Sequence, residues 1–463
     1  MSLLCTQISA LFSDTVFVLP LLAPAMQRRF AFSSLQMNLI TSAGTVAAYI
    51  NDPLSGTLCD RIGSQHIARI GAALQFIGYY GLSLLFTGIL SSQCALVMLL
   101  SFLLGTGCSG ISMANNVSAA VNAPVFARGF MISMVFTLSS LTSALYALIE
   151  RLFVRTSDGV LNISAFLFTL AIISASIHSI TSFGMYRLPQ PAEEVLPMSL
   201  GSSRSRKKPK PQAYGATDSE ASSTEETAMI MPSINVTTAA ESTTPLSVML
   251  RSRILIYLWL AALFSIGPGF TYVNNVSSVA RELLLSKHPN ASPDELQSVE
   301  NFHPPLISVI SCVSNFGIGL LADQFGRATR MRSLPFFSAT AILQLLCQLI
   351  AFGATDPHTL IWSSVINGLS TTSANAVTSI VAFELWGKSD YGRNCGLFSI
   401  AIATGTQLFG ILFGAMVDAS KAVSGGCAEG ACFSAGFGIS IAACIVSIIF
   451  SIAALRTRLA QWV

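Results

Sequence analysis

Charge is what this sequence has least of. Only 10% of its 463 residues are Asp, Glu, Lys or Arg, against about 25% in an ordinary soluble domain, which excludes a fold surrounded by water. The net charge is +3 at pH 7, yet the lysines and arginines sit in turns rather than on a face interleaved with aromatics, so nucleic acid is excluded as a partner. Histidine is scarce too. Its five copies are dispersed along the chain, no His/Cys/carboxylate cluster accompanies them, and no glycine-rich phosphate loop follows a strand. An enzyme's convergent nucleophile and base, a metal centre and a cofactor are therefore not expected. The ten cysteines lie mostly inside apolar runs, where cysteine behaves as a small hydrophobe. Only Cys427 and Cys432 share a loop in which a disulfide is an alternative to two thiols.

Apolar sequence is what the chain has in excess: 52% of residues are hydrophobic and the mean hydropathy is +0.64. A membrane-spanning helix needs about 20 such residues. Twelve runs qualify, at 3–26, 34–57, 67–90, 94–122, 129–153, 161–186, 251–279, 303–322, 333–354, 359–386, 394–418 and 431–455. The expected fold class is an all-α membrane protein of twelve transmembrane helices. The first run lacks a basic leader and a cleavage site, so it is expected to stay as span 1 rather than be removed. Little chain precedes it, and a clipped first span or a misassigned start is the alternative.

Residues 189–247 interrupt the series with Pro, Ser, Thr and charge, including Arg204-Ser205-Arg206-Lys207-Lys208-Pro209-Lys210 and an acidic patch around Glu220 to Glu226. That composition buries too little apolar surface to fold. The expected domains are an N-terminal six-helix bundle (1–188), a disordered cytoplasmic linker (189–247) and a C-terminal six-helix bundle (248–463). Loops on the side of the linker hold most of the 25 lysines and arginines, which places both termini in the cytoplasm. The sequons at Asn162 and Asn290 fall on the other side.

Between spans 2 and 3 lies Gly56-Thr57-Leu58-Cys59-Asp60-Arg61-Ile62-Gly63, and it recurs after span 8 as Gly319-Leu320-Leu321-Ala322-Asp323-Gln324-Phe325-Gly326. Glycine permits close helix approach and left-handed geometry, and aspartate favours the positive end of a helix. Ala114-Asn115-Asn116-Val117-Ser118 in span 4 parallels Ala374-Asn375-Ala376-Val377-Thr378 in span 10 at nearly the same interval, and Arg128 parallels Arg393. A duplicated bundle follows, with a solute site between its halves near the bilayer midplane.

These turns resemble the loop signature of the major facilitator superfamily, found between transmembrane helices 2 and 3 and, weaker, between 8 and 9; Gln324 stands where arginine is usual. Further stretches are similar to its nodulin-like and fungal monocarboxylate-transporter-homologue branch. They are Pro24 to Phe30 with Ser33 to Asn38, Ala127-Arg128-Gly129, Gly267-Pro268-Gly269-Phe270 followed by Asn274-Asn275, and Phe383-Glu384-Leu385-Trp386-Gly387. The resemblance implies alternating access and a cavity lined by spans 1, 4, 7 and 10. Relatives often carry an arginine near the position of Asn315. This chain has no intramembrane lysine or arginine to hold a carboxylate.

Asp14 lies in span 1, where an unpaired carboxylate costs at least ~2.5 kcal/mol. It is read as a protonatable or cation-binding group, since desolvation favours the neutral acid, or else as a structural carboxylate bonded to nearby hydroxyls. Asn115, Asn116, Asn274, Asn275 and Asn375 contact solute or stitch helices, and Tyr272 reaches the cavity or packs. His178 is read as a bonded core residue. Asp52, before Pro53, gates or relays protons, or braces a loosened helix, and Glu384 gates or snorkels. Gly56, Asp60, Arg61, Gly63, Gly319, Asp323 and Gly326 form conformational latches in which a carboxylate meets a helix N-terminus in one state only.

The expected function is secondary active transport of a small solute, proton-coupled, with small organic acids as the class the branch suggests. The alternatives are a facilitative uniporter for a polar or cationic solute and a non-transporting nutrient receptor on the same fold. Expected partners are the solute, protons and the lipid bilayer of a vacuolar or plasma membrane, around a monomer.

Overall fold

Proline has no N–H to donate, and its ring crowds the carbonyl four residues back. Pro53 accordingly divides the second apolar run. In the computed structural model of the chain this run is two helices, α1 having been Ser2–Ala10: α2 (Ser34–Ile50) and α3 (Asp52–Ile62) meet at Asn51. The first run is broken as well. After α1 come a turn over residues 11–13, Asp14 in non-helical geometry and a 3₁₀ turn, Thr15–Val18. Single helices over 3–26 and 34–57 are thus corrected to interrupted ones.

The structure describes residues 1–19, 22, 26, 29–32, 34–142, 145–146, 162–188, 245–328, 333–424 and 431–460. The expected linker up to residue 244, part of span 5 and Cys427 lie outside them. The first half continues with α4 (Ser64–Thr87), α5 (Cys94–Asn122), α6 (Arg128–Ser139) and α7 (Ile163–Ser182). The second half comprises α8 (Leu246–Leu250), α9 (Arg253–Lys287), α10 (Pro293–Glu300), α11 (His303–Ala328), α12 (Leu334–Phe352), α13 (Thr359–Trp386), α14 (Tyr391–Ser424) and α15 (Ala431–Ala460). No strand occurs among the described residues, and eight described helices are long and apolar enough to cross a membrane.

Three elements depart from the sequence reading. Helix α9 runs on to Lys287 although Pro268 lies inside it, and Gln348 Nε2 and Asn367 Nδ2 tie this stretch to α12 and α13 by reaching the carbonyls of Pro268 and Gly269, each at 3.2 Å. Helix α11 continues to Ala328, so Gly326 is helical rather than part of a turn. Helix α10 begins with a capping box in which Ser292 and Glu295 satisfy each other's backbone N–H groups. Cys432 is disulfide-bonded, and the other described cysteines are thiols.

In the first half α4 packs between α5 and α7, and α2 lies on α5; in the second, α9 packs on α14 and α15, and α13 on α11 and α12. The halves meet along two crossings, α3 with α14 and α6 with α11. Both depend on glycine. A Cβ at Gly56 would collide with the Gly392 carbonyl, one at Gly392 with that of Gly56, and one at Gly396 would lie 2.6 Å from Pro53 Cα. At the second crossing a Cβ at Gly319 would strike Ser133 Oγ and stand 2.9 Å from Phe130 Cα.

A broken helix at membrane depth frees carbonyls that lipid cannot satisfy. Here five carbonyls near the break have a donor from another helix or from the loop beyond α6. Ser139 Oγ reaches Ala10 at 3.3 Å, Thr142 Oγ1 reaches Leu11 at 3.0 Å, and His178 Nε2 reaches Phe12 at 3.2 Å. Gln75 Nε2 donates to Ser13 at 3.3 Å and Tyr79 OH to Thr15 at 2.6 Å. Because the Phe12 carbonyl only accepts, His178 carries its proton on Nε2, and Nδ1 accepts from Ser9 Oγ at 2.9 Å. His178 is a bonded core residue.

Candidate functional site

The collar of donors holds Asp14 at a cavity between the halves, and the break at Pro53 delivers Asp52 to the same place. From the first half the lining also takes Tyr49 and Ser139. One face of α5 contributes Ser109, Ser112 and Asn116, spaced three and four residues apart so that they share a side of the helix. From the second half it takes Asn375, Thr378 and Ser379 on α13 and Cys395, Phe398 and Ser399 on α14. The cavity measures about 70 Å³, enough for a few waters and too small for a hexose until the halves part. Its described lining holds two carboxylates and no Lys, Arg or His.

The carboxylates differ in setting. Asp14 is half-buried, with Ser13 Oγ at 3.4 Å. Asp52 is 5% exposed and accepts a 2.7 Å bond from Ser109 Oγ, which Ser55 also approaches at 3.1 Å. Ser399 lies against the Asp52 carboxylate from the opposite half. Tyr49 stands beside both carboxylates, and its ring meets Phe270 of α9 across the interface at 6.4 Å. Asn116 lines the cavity with its amide oxygen unpaired among the described residues. A buried acceptor left so costs about 1–3 kcal/mol, which a solute or water would recover.

Other expected residues lie elsewhere. Asn115, one position round the helix, is fully buried with both amide atoms unpaired among the described residues and does not line the cavity. Tyr272 is 2% exposed, and its hydroxyl is engaged by Leu360 O at 3.2 Å and Ser364 Oγ at 2.9 Å. Asn275 bonds the Thr271 carbonyl at 2.8 Å, stitching its own helix, and Asn274 is exposed. Glu384 accepts from Ser333 N at 3.0 Å and Ser333 Oγ at 2.9 Å, capping the start of α12. Sequence reasoning passed over Tyr49, Ser109, Ser112 and Ser399. The spacing of Ser109, Ser112 and Asn116 was the available signal.

The two repeated motifs join the halves, Asp60 from the last turn of α3 and Asp323 from within α11. Asp60 accepts from Gly392 N at 3.0 Å and Arg393 N at 2.9 Å, the second and third residues of α14. Asp323 accepts from Gly129 N and Phe130 N, both at 2.8 Å, the corresponding residues of α6. Each half therefore caps a helix of the other. The residues so paired are Gly129 with Gly392 and Phe130 with Arg393, separated by the same interval as Gly56 and Gly319; the parallel of Arg128 with Arg393 is corrected by two positions. Gly63 ends α3 with φ +93°, a geometry that favours glycine, and Arg61 beside it is exposed. Arg128 lies over the Phe383 ring at 4.4 Å.

Comparison with known proteins agrees with this architecture. The chain is 24% identical to "Probable transporter MCH1" of Gibberella zeae, covering 90% of this chain and 80% of that one, and 22% identical to the protein of the same description from Wickerhamomyces anomalus, covering 92% and 81%. The solved structure of FucP in the outward conformation shares the fold at TM-score 0.62 and 15% identity, over 98% of this chain and 97% of its own. The proton:xylose symporter XylE bound to 6-bromo-6-deoxy-D-glucose does so at 0.62 and 14%, over 97% and 94%. With the Major Facilitator Superfamily model matching residues 3–332, the chain belongs to that superfamily of membrane transporters and is not an enzyme.

Proposed function

We propose that the chain is a secondary active transporter that moves a small polar solute by alternating access, coupled to protons through Asp14 with Asp52 as a second carboxylate on the path. The observation that carries this reading is the cavity between the halves, which two carboxylates from interrupted helices enter and no cation balances. A desolvated carboxylate favours its protonated form; opening to one side or the other changes that desolvation and so loads or releases a proton. XylE, a proton:xylose symporter of this fold, supports coupling of this kind.

The lining also bears on solute class. An organic anion would meet two carboxylates and no positive group, whereas a neutral polyol or an amine would find Asn116, Asn375 and several hydroxyls. A neutral or cationic polar solute is the better fit, and a small organic acid would have to enter in its neutral form. The two bundles, 1–188 and 248–463, rock about the glycine crossings, tethered by a cytoplasmic linker at 189–247. The protein acts as a monomer with both termini in the cytoplasm, in a vacuolar or plasma membrane.

The test starts with a thermal-shift screen of amines, polyols, amino acids and carboxylates at two pH values, followed by uptake of the hits into proteoliposomes. Asp14→Asn should lose pH-driven accumulation and keep counterflow exchange. Undiminished accumulation would remove Asp14 from coupling. Exchange without accumulation by the unaltered chain would make it a uniporter, and binding without flux a receptor.

A further inference from the structure

Three of the five histidines, far apart in sequence, gather around the start of α11, the end remote from Asp323. His288 follows α9, His303 opens α11 and His358 precedes α13; all three line one cavity of about 600 Å³. This falls within the ~300–1,000 Å³ of small-molecule sites, and no lining residue is shared with the cavity between the halves. Leu284, Val299, Phe302 and Ile361 give it an apolar wall.

The fixed charges of the lining are spent on each other. Lys287 Nζ stands 3.8 Å from the Asp356 carboxylate, which also accepts from Thr359 N at 2.9 Å and Thr359 Oγ1 at 3.0 Å. With the imidazoles uncharged, an ion entering the cavity would give up hydration and meet no unpaired opposite charge in the described lining. A neutral occupant is the one these walls favour.

His303 sets what that occupant must offer. The residue is 1% exposed, and its Nδ1 is bonded to Ser364 Oγ at 2.9 Å, which leaves Nε2 without a partner among the described residues in a ring that lines the cavity. The protons along this chain of bonds can be counted. The Leu360 carbonyl only accepts, so Tyr272 spends its single hydroxyl proton there, at 3.2 Å. Tyr272 then accepts from Ser364 Oγ at 2.9 Å, which uses the only proton of the serine hydroxyl. Ser364 is left to accept from His303, and the proton of the ring is on Nδ1. In a neutral imidazole the other nitrogen is a bare acceptor, so Nε2 presents a lone pair where the ring borders the cavity. A carboxylate or an ether brings only lone pairs against it, whereas a hydroxyl brings a proton.

We propose that this cavity is a binding site for a small uncharged alcohol or phenol, whose hydroxyl donates to His303 Nε2 while its apolar body lies against Leu284, Val299, Phe302 and Ile361. The site is independent of the solute path. Because His303, Ser364 and Tyr272 tie α11, α13 and α9 together, the occupant sits where three helices meet.

Phenol is the probe, with two controls: anisole, which keeps the ring and has no proton to donate, and benzoate. The full-length protein, isotopically labelled in its histidine nitrogens and embedded in lipid bilayers, is followed by magic-angle-spinning NMR at about pH 7.5, above the ordinary histidine range. The signals missing from His303→Gln are those of His303, and they should report a ring protonated on Nδ1 alone. Phenol should shift the Nε2 signal saturably, and anisole and benzoate should leave it in place. Ile361→Trp, which fills the space beside the apolar wall, should abolish the response to phenol while the Nδ1 proton stays; Asp52→Asn should leave the response unchanged. A charged His303 ring, a proton on Nε2, no response to phenol, an equal response to anisole or benzoate, an unaltered response in Ile361→Trp, or its loss in Asp52→Asn would overturn the assignment.

Discussion

The two latches are built to one plan and finished differently. In each, a carboxylate carried on one helix accepts the second and third N–H groups of a helix in the opposite half, and a glycine one turn earlier lets the two helices touch. Above the Asp60 latch, helix α3 begins at a break and carries Asp52 into the cavity. Above the Asp323 latch, α11 is unbroken, and the residues standing where Asp52 and Pro53 would be are Asn315 and Phe316. Asn315 is fully buried and uncharged, and Phe316 packs edge-on against Phe130 of the other half at 5.4 Å. The contact between the halves is therefore a shared, symmetric feature, while the charge in the described lining of the cavity between them comes from the first half alone.

Making the first half imitate the second is the strongest way to test that division. Asp52→Asn should reduce accumulation driven by one pH unit from about tenfold, the limit for one proton per solute, toward equality, while counterflow persists; a flux assay in proteoliposomes reads both. Next in size is the glycine contrast. Gly56→Ala places a methyl group against backbone, whereas Gly319→Ala first meets the Ser133 hydroxyl, which can turn aside. Overpacking costs about 1–3 kcal/mol, and Gly56→Ala should fall at the upper end and Gly319→Ala at the lower. With Cys395, buried in the cavity, as the sole remaining thiol, its labelling by a charged reagent from the latch end reports the opening.

Removing either capping carboxylate should act alike. Asp60→Ala and Asp323→Ala each remove a helix cap worth about 1 kcal/mol, roughly a fivefold rise in the Cys395 labelling rate. Their effects should add, since the latches share no residue. The smallest expected effect is that of Arg61→Gln, which copies Gln324 into the first turn. Arg61 is exposed, so labelling should change by less than about 0.5 kcal/mol equivalent. A larger change would show that the turns differ in more than their helices.

The duplication was legible because both of its parts act through backbone. Glycine at a crossing and aspartate at a helix start are required by main-chain geometry, whatever side chains surround them, so Gly56, Asp60, Gly319 and Asp323 stand out in a bare sequence. The break after Ala10 was not legible, since what permits it is Gln75, Tyr79, Ser139, Thr142 and His178, brought together only by packing. The difference between Asn115 and Asn116 is one of helix register, which a pair of adjacent amides leaves open. The histidines looked dispersed for the same reason: His288, His303 and His358 become neighbours only when the ends of α9, α11 and α13 meet.

The collar around the first helix has a consequence for genetics. Since Asp14 keeps its place only while five remote side chains hold five carbonyls, substitutions at Tyr79 or His178 should surface in a selection for lost uptake alongside those at Asp14 itself, although neither lines the solute route. Such alleles would mark the scaffold that holds Asp14, and a suppressor of them should arise at another member of the collar.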